Sequence, residues 1–141
     1  MAFYLVRGKR KKQTAKDGSL LESEIQEAYF AWVRLMRIQD PRFYSIYHIP
    51  NAGKRKGTTG FNLKKQGLVP GVWDLHIAWP MNGIPGMFIE TKRLEANGKK
   101  TELSEAQVKW GKIMHGLGFR MRVAYTTDEL IKLTKEYLEI I

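Results

Sequence analysis

In the stretches Val72-Trp73-Asp74-Leu75-His76-Ile77 and Met87-Phe88-Ile89-Glu90-Thr91-Lys92, charged residues interrupt two short apolar runs. Because successive side chains of a strand point to opposite faces, Glu90 and Lys92 share one face of the second run. Asp74 lies in the middle of the first run. Charged groups on strands that are otherwise apolar are rare unless they are paired or hold a metal ion. The two stretches therefore predict adjacent strands of a sheet and a candidate site on them.

The remaining sequence predicts helices and strands on either side of this pair. Apolar residues at helical spacing, the Asp40-Pro41 pair and a glycine-rich segment set the main boundaries. The predicted elements are a helix at about 20–38, a strand at 43–49, a loop at 50–71, strands at 72–79 and 87–92, a helix at about 105–117, a strand at 119–125 and a last helix to about 139. This order indicates one α/β domain with a small central mixed sheet flanked by helices.

Two capping motifs predict where helices begin. Ser19 and Glu22 have the spacing of a capping box at the start of the first helix. Ser104 and Gln107 have the same spacing at the start of the helix over 105–117. Glu22 and Gln107 are therefore candidates for helix capping as well as for any site nearby.

Composition and charge narrow the class of function. The chain has 141 residues, with 24 Lys and Arg against 14 Asp and Glu, a formal net charge of +10. Such an excess on one domain indicates a polyanionic partner, most often nucleic acid, and fits a small ribosomal or chromatin protein equally well. The absence of cysteine excludes a disulfide scaffold, a thiolate zinc site and a cysteine nucleophile. No apolar run reaches a membrane span or forms a signal peptide, so a cytoplasmic protein is expected.

The positive charge is concentrated in two segments. Residues 1–18 predict a basic N-terminal arm, which leaves 19–141 as the domain. The loop predicted at 50–71 carries a second set without an acidic residue between Asn51 and Gln66. Long glycine-rich basic loops suit contact with a phosphate backbone, although a solvated basic loop has the same composition. The candidates for nucleic-acid binding are Asn51, Lys54, Arg55, Lys56, Lys64 and Lys65, together with Arg93.

The charged residues of the two central strands suit one kind of chemistry. Asp74 and Glu90 would supply hard oxygen ligands for Mg²⁺ or Mn²⁺. A divalent cation between carboxylates and a phosphodiester polarises the phosphoryl group and lowers the pKa of a bound water. Lys92 would point to the same centre and orient the water or offset transition-state charge. The alternatives are an ordinary ion pair between Glu90 and Lys92 and a turn or salt-bridge role for Asp74.

The order of these motifs resembles a known family. Asp74, 15 intervening residues and Glu90-Thr91-Lys92 resemble the PD-(D/E)XK nuclease signature, with Trp73 where proline would stand. The wider set is Glu22-Ser23-Glu24-Ile25-Gln26, Ile49-Pro50-Asn51-Ala52-Gly53-Lys54-Arg55, Gly67-Leu68-Val69-Pro70-Gly71-Val72-Trp73-Asp74-Leu75, Phe88-Ile89-Glu90-Thr91-Lys92-Arg93, Ser104-Glu105-Ala106-Gln107 and Gly118. Together these motifs are similar to those of the VRR-NUC family over about residues 20–125.

The resemblance implies a fold, an activity and partners. The fold is a restriction-endonuclease-like core with the order α-β-β-β-α-β. The activity is cleavage of DNA phosphodiesters that depends on Mg²⁺ or Mn²⁺. Substrates of the family are often branched or flapped DNA, and its small stand-alone members resemble homodimers that act on four-way (Holliday) junctions, so a homodimer is expected.

The resemblance also implies roles for individual residues. Asp74 and Glu90 correspond to the metal ligands and Lys92 to the catalytic lysine. Glu22 is placed as the supporting carboxylate of the first helix, with Glu24 as second choice, and Gln107 matches a glutamine that approaches the site from the second helix.

Two other functions remain compatible with the sequence. A non-catalytic basic module would bind nucleic acid without using the charged residues of the strands. A sequence-specific restriction or homing endonuclease would keep the chemistry and change the target, although 141 residues leave little room for a separate sequence-reading domain. Repair, recombination and phage DNA processing all remain open as the pathway.

Overall fold

The computed structural model describes residues 21–50 and 58–141, without the side chains of residues 58–61. The basic arm predicted at 1–18 and the candidates Asn51, Lys54, Arg55 and Lys56 lie outside the described residues. In chain order the elements are α1 (Glu22–Met36), β1 (Ile46–His48), α2 (Thr58–Lys65), β2 (Leu75–Ile77), β3 (Met87–Thr91), α3 (Glu105–Gly116), β4 (Arg120–Ala124) and α4 (Thr127–Leu138).

The four strands form one mixed sheet in the order β1-β2-β3-β4. β1 pairs antiparallel with β2, and β2 antiparallel with β3. β3 and β4 are parallel, and α3 lies between them in the chain, as a parallel crossover requires. This architecture confirms the predicted α/β fold with a central mixed sheet, and α1, β1, β2, β3, α3 and β4 follow the expected α-β-β-β-α-β order.

The two faces of the sheet are covered differently. On one face, strand residues such as Leu75 and Ile89 are fully buried and belong to one apolar cluster with Tyr29 of α1 and Leu130 of α4. On the other face, the ring of Phe88 meets Trp110 of α3 edge-on, with centroids 4.9 Å apart. Charged residues on this second face therefore lie under α3 rather than in the main core. Within the described ranges, no helix is both long enough and apolar enough to cross a membrane.

The strands are shorter than the sequence predicted. Of the strand expected at 43–49, only Ile46–His48 belongs to the sheet, and Pro41–Ser45 forms a single turn of 3-10 helix before it. The Asp40 carboxylate begins this turn by accepting a hydrogen bond from the Arg42 N–H over 3.0 Å. Of the strand expected at 72–79, only Leu75–Ile77 pairs with its neighbours in the sheet. Asp74 consequently lies one residue before β2 rather than within it.

The loop predicted at 50–71 contains a helix, and that prediction is wrong for Thr58–Lys65. The glycine that suggested a loop ends the helix instead. Gly67 adopts a left-handed φ of +104°, and the Leu68 N–H donates to the Leu63 carbonyl over 3.0 Å. This pattern is a Schellman C-terminus, in which glycine is the favoured residue.

The two predicted capping boxes have opposite outcomes. The box at Ser104 and Gln107 is confirmed, with both reciprocal hydrogen bonds present. Ser19 lies outside the described residues, and Glu22 is the first residue of α1 after the N-cap Leu21, not the third residue as the predicted box requires. The Glu22 carboxylate is directed elsewhere: it hydrogen-bonds the backbone of Arg93.

Candidate active site

The carboxylates of Asp74 and Glu90 each accept a hydrogen bond from the backbone of the neighbouring strand segment. The Asp74 N–H donates to Glu90 Oε2 over 3.1 Å, and the Thr91 N–H donates to Asp74 Oδ2 over 3.0 Å. The β2–β3 register, in which Leu75 faces Ile89, places the two residues opposite each other. Each carboxylate is therefore fixed by the backbone of the strand that carries the other one.

Gln107 reaches the same carboxylate pair from the first turn of α3. Its Nε2 donates to Glu90 Oε1 over 2.7 Å, while its Oε1 accepts from the Ser104 N–H over 2.9 Å. The side chain thus completes the capping box and contacts Glu90 at the same time. The two roles predicted for Gln107, in the helix cap and at the candidate site, are therefore compatible with a single side-chain conformation.

Burial makes the carboxylate pair hold a proton more tightly than free carboxyl groups. The Glu90 side chain is buried, with 2 % of the residue exposed. This burial, followed by the nearby Asp74 charge, raises the pKa of Glu90 to about 8. Burial also raises the pKa of Asp74, against the opposing effects of the Thr91 N–H and the His48 charge, and the two side chains hydrogen-bond each other. Without a cation, the pair therefore retains a shared proton at neutral pH.

Lys92 and Glu22 complete the charged cluster. The half-buried Lys92 ammonium acts electrostatically on Glu22, Asp74 and Glu90, lowering each of their pKa values. Burial nevertheless leaves the pKa of Glu22 above its ordinary value. Glu24 follows Glu22 by two residues, about 200° further around the helix. The structure thus places Glu22, rather than the second choice Glu24, beside Lys92.

His48 is a site neighbour that the sequence analysis did not select. Its ring Nδ1 lies 3.1 Å from the Asp74 carbonyl oxygen, so the neutral ring or the charged ring donates there. The imidazole is exposed, and its charge lowers the pKa of Asp74. His48 lies near Asp74 because β1 pairs with β2, and the Ile49 N–H also donates to the Asp74 carbonyl over 2.7 Å. The three histidines show no ligand spacing in the sequence, so local pattern gave no signal for it.

The donor set of the site fits a hard divalent cation. Asp74 and Glu90 present carboxylate oxygens, the ligand type that Mg²⁺ and Mn²⁺ prefer. In the described part of the chain, no group of three His, Cys, Asp or Glu side chains comes together as a metal cage. Two carboxylates, with water and substrate oxygens completing the shell, are the usual pattern for Mg²⁺ at phosphate sites. Burial is the main cause of both raised pKa values, and the positive charge of a bound cation would favour the ionised forms of Asp74 and Glu90.

Three of the predicted nucleic-acid contacts lie in the described residues. Lys64 and Lys65 are exposed in the last turn of α2. Arg93 is half-buried next to Lys92, and its backbone hydrogen-bonds Glu22. Arg93 is therefore adjacent to the carboxylate cluster.

Comparison with known proteins shows a likeness to a solved structure. No family model and no curated protein matches the sequence. Among solved structures, a VRR_NUC domain protein matches with a TM-score of 0.69 and 24 % sequence identity, over 86 % of this chain and 90 % of that one. The structure therefore has the fold of a VRR_NUC domain protein, in agreement with the resemblance predicted from the sequence motifs.

Proposed function

We propose that this protein is a divalent-metal-dependent DNA endonuclease of the VRR-NUC type. The observation that carries the proposal is the pairing of the half-buried Asp74 with the buried Glu90, with Lys92 beside them. The fold shared with a VRR_NUC domain protein supports it independently of those side chains. A buried carboxylate pair that must hold a proton is costly for stability alone, which favours a functional origin.

The residues divide the work of phosphodiester hydrolysis among them. Asp74 and Glu90 would hold Mg²⁺ or Mn²⁺, which when bound polarises the phosphoryl group and makes water more acidic. Lys92 orients the attacking water and offsets negative charge on the phosphate as it is attacked. Gln107 fixes the Glu90 carboxylate through its amide. Glu22 holds the Lys92 ammonium near the cluster by its negative charge when ionised.

DNA is the proposed substrate, and the net charge of +10 favours it. Lys64, Lys65 and Arg93 would contact phosphates that flank the cut, together with the basic residues between 51 and 56 and the arm over 1–18. Branched DNA, such as a four-way junction or a flap, is the proposed preference, and a homodimer is the proposed assembly. Both refinements rest on the sequence resemblance to the VRR-NUC family.

Substitution of the three central residues tests the activity. Asp74→Asn, Glu90→Gln and Lys92→Met are each expected to lower nicking by about a hundredfold or more, because each removes a group used in the transition state. Nicking is measured on labelled DNA in Mg²⁺, and DNA binding by fluorescence anisotropy should remain. The exposed residues Asp128 and Lys132 provide matched controls, Asp128→Asn and Lys132→Met. Full nicking by Asp74→Asn would contradict the proposed mechanism.

The same assay separates the two alternative functions. A non-catalytic basic module would bind DNA equally with and without EDTA and would cut no substrate. A restriction or homing enzyme would cut linear duplex at defined sequences. The proposed enzyme cuts junction or flap DNA faster than linear duplex of the same sequence, and EDTA stops it.

A further inference from the structure

The indole of Trp73 joins the strand segment that ends in Asp74 to the helix that carries Gln107. Its Nε1–H donates to the Gln107 backbone carbonyl over 2.9 Å. Its ring packs directly on Gly111, one turn further along α3, where a Cβ would lie only 2.8 Å from Trp73 Cζ2. Trp73 is 5 % exposed and directly precedes Asp74 in the chain. One side chain therefore couples the position of α3 to that of the carboxylate pair.

Gly71, two residues before Trp73, contacts the same helix. It adopts a φ of +84°, and a Cβ there would overlap the Ala106 carbonyl. The first turn of α3 thus lies against the backbone of the segment that leads to Asp74. With Trp73, this contact fixes the turn at two points, which limits how far Gln107 can move relative to the strands.

The Gln107 amide depends on that placement. Its Nε2 is 2.7 Å from Glu90 Oε1, and its Oε1 is tied to the Ser104 N–H. Because both amide atoms of Gln107 are already hydrogen-bonded, the side chain cannot extend further to keep its bond to Glu90 if the helix moves away. A shift of about 1 Å would take the bond to Glu90 beyond hydrogen-bond range.

We propose that Trp73 is a positioning residue of the nuclease site. It acts through Gln107, whose amide sets the plane of the Glu90 carboxylate. The inference rests on the proposed function, because there Glu90 is a metal ligand. The chain of contacts from Trp73 to Glu90 involves protein atoms alone, so it is testable without activity.

Trp73→Phe keeps an aromatic ring and removes the indole N–H. The expected results are a change in the Gln107 side-chain amide resonances in a ¹H–¹⁵N spectrum and a Mn²⁺ affinity lowered by about tenfold, the size usual for loss of a ligand's supporting contact. Trp110→Phe, in the same helix and packed on Phe88, is the matched control that leaves both readouts unchanged. Gly111→Ala is a second variant, because its methyl group displaces the indole while favouring the helix.

A double-mutant cycle shows whether Trp73 acts through Gln107. In a Gln107→Ala background, Trp73→Phe should cause no further loss of Mn²⁺ affinity, whereas a merely structural tryptophan would give additive losses. Wild-type amide resonances together with a Mn²⁺ affinity within about twofold of wild type in both Trp73→Phe and Gly111→Ala would overturn the proposal. A wild-type protein that neither binds Mn²⁺ nor cuts DNA would instead overturn the proposed function, and the Gln107 resonances would still decide the role of Trp73.

Discussion

Raising the pH in metal-free buffer is expected to destabilise the folded protein. The cause is Glu90, whose pKa burial and the Asp74 charge raise to about 8, against an ordinary value of 4.5. Between these two values the folded state holds a proton that the unfolded state has released. The free energy of unfolding therefore falls as the pH rises through this window. The pKa values of Asp74 and Glu22 are also raised, so these groups add to the loss of stability at the acidic end of the same pH range.

The size of the effect follows from the two pKa values of Glu90. Glu90 is 2 % exposed, so solvent screens it little. Between about pH 5 and about pH 8 the proton linkage amounts to a loss on the order of 3 kcal/mol. Domains of this size have a total stability of about 5–15 kcal/mol, so the loss is large enough to measure and to matter. Mg²⁺, which would replace the proton, should stabilise the protein more at the alkaline end than at the acidic end.

Urea unfolding in EDTA, followed by circular dichroism at a series of pH values, measures this slope. Glu90→Gln mimics the protonated acid and should remove most of the slope, whatever its effect on the absolute stability. Glu136→Gln is the control, since Glu136 is an exposed partner of Lys132 on α4. A flat profile in the wild type, or a slope that survives in Glu90→Gln, would refute the argument that the pair stores a proton.

Three further predictions concern single contacts. Thr91→Val should stabilise the protein by about 1 kcal/mol, because Thr91 Oγ1 is buried without a hydrogen-bond partner. Thr134→Val should destabilise the protein by about 1–2 kcal/mol, because it removes the hydrogen bonds of Thr134 to Tyr29 and Leu130. Urea unfolding at pH 6 measures both changes. Gly71→Ala should cost about 2–4 kcal/mol in the same assay, and Gly67→Ala, also at positive φ but in open space, only about 1 kcal/mol. Glu22→Gln should slow nicking by about tenfold while Glu24→Gln leaves the rate unchanged; equal rates for the two variants would contradict the placement of Glu22.

Local signals explain which parts of the fold the sequence could predict. The capping box at Ser104 needs only four residues, and the structure confirms it. The strand β3 has a short apolar run of its own and was predicted to within one residue. The sequence analysis missed helix α2 because a glycine such as Gly67 occurs both in loops and just after the end of a helix. The start of α1 was misplaced, because Leu21 is its N-cap and has no capping side chain that a local pattern could detect.

The candidate site shows the same division between local and distant contacts. The sequence positions of Asp74, Glu90 and Lys92 on two predicted neighbouring strands were enough to predict that their side chains lie close together. What the spacing could not give is the state of the carboxylates, because the pKa of Glu90 depends on burial under α3 and on the exact approach of Asp74. The contacts that hold α3 against this part of the chain include those of Gly71, Trp73 and Gly111, none of which carries a charge. A sequence search for charged groups therefore finds the candidate site residues and overlooks the uncharged residues whose contacts hold the neighbouring helix in place.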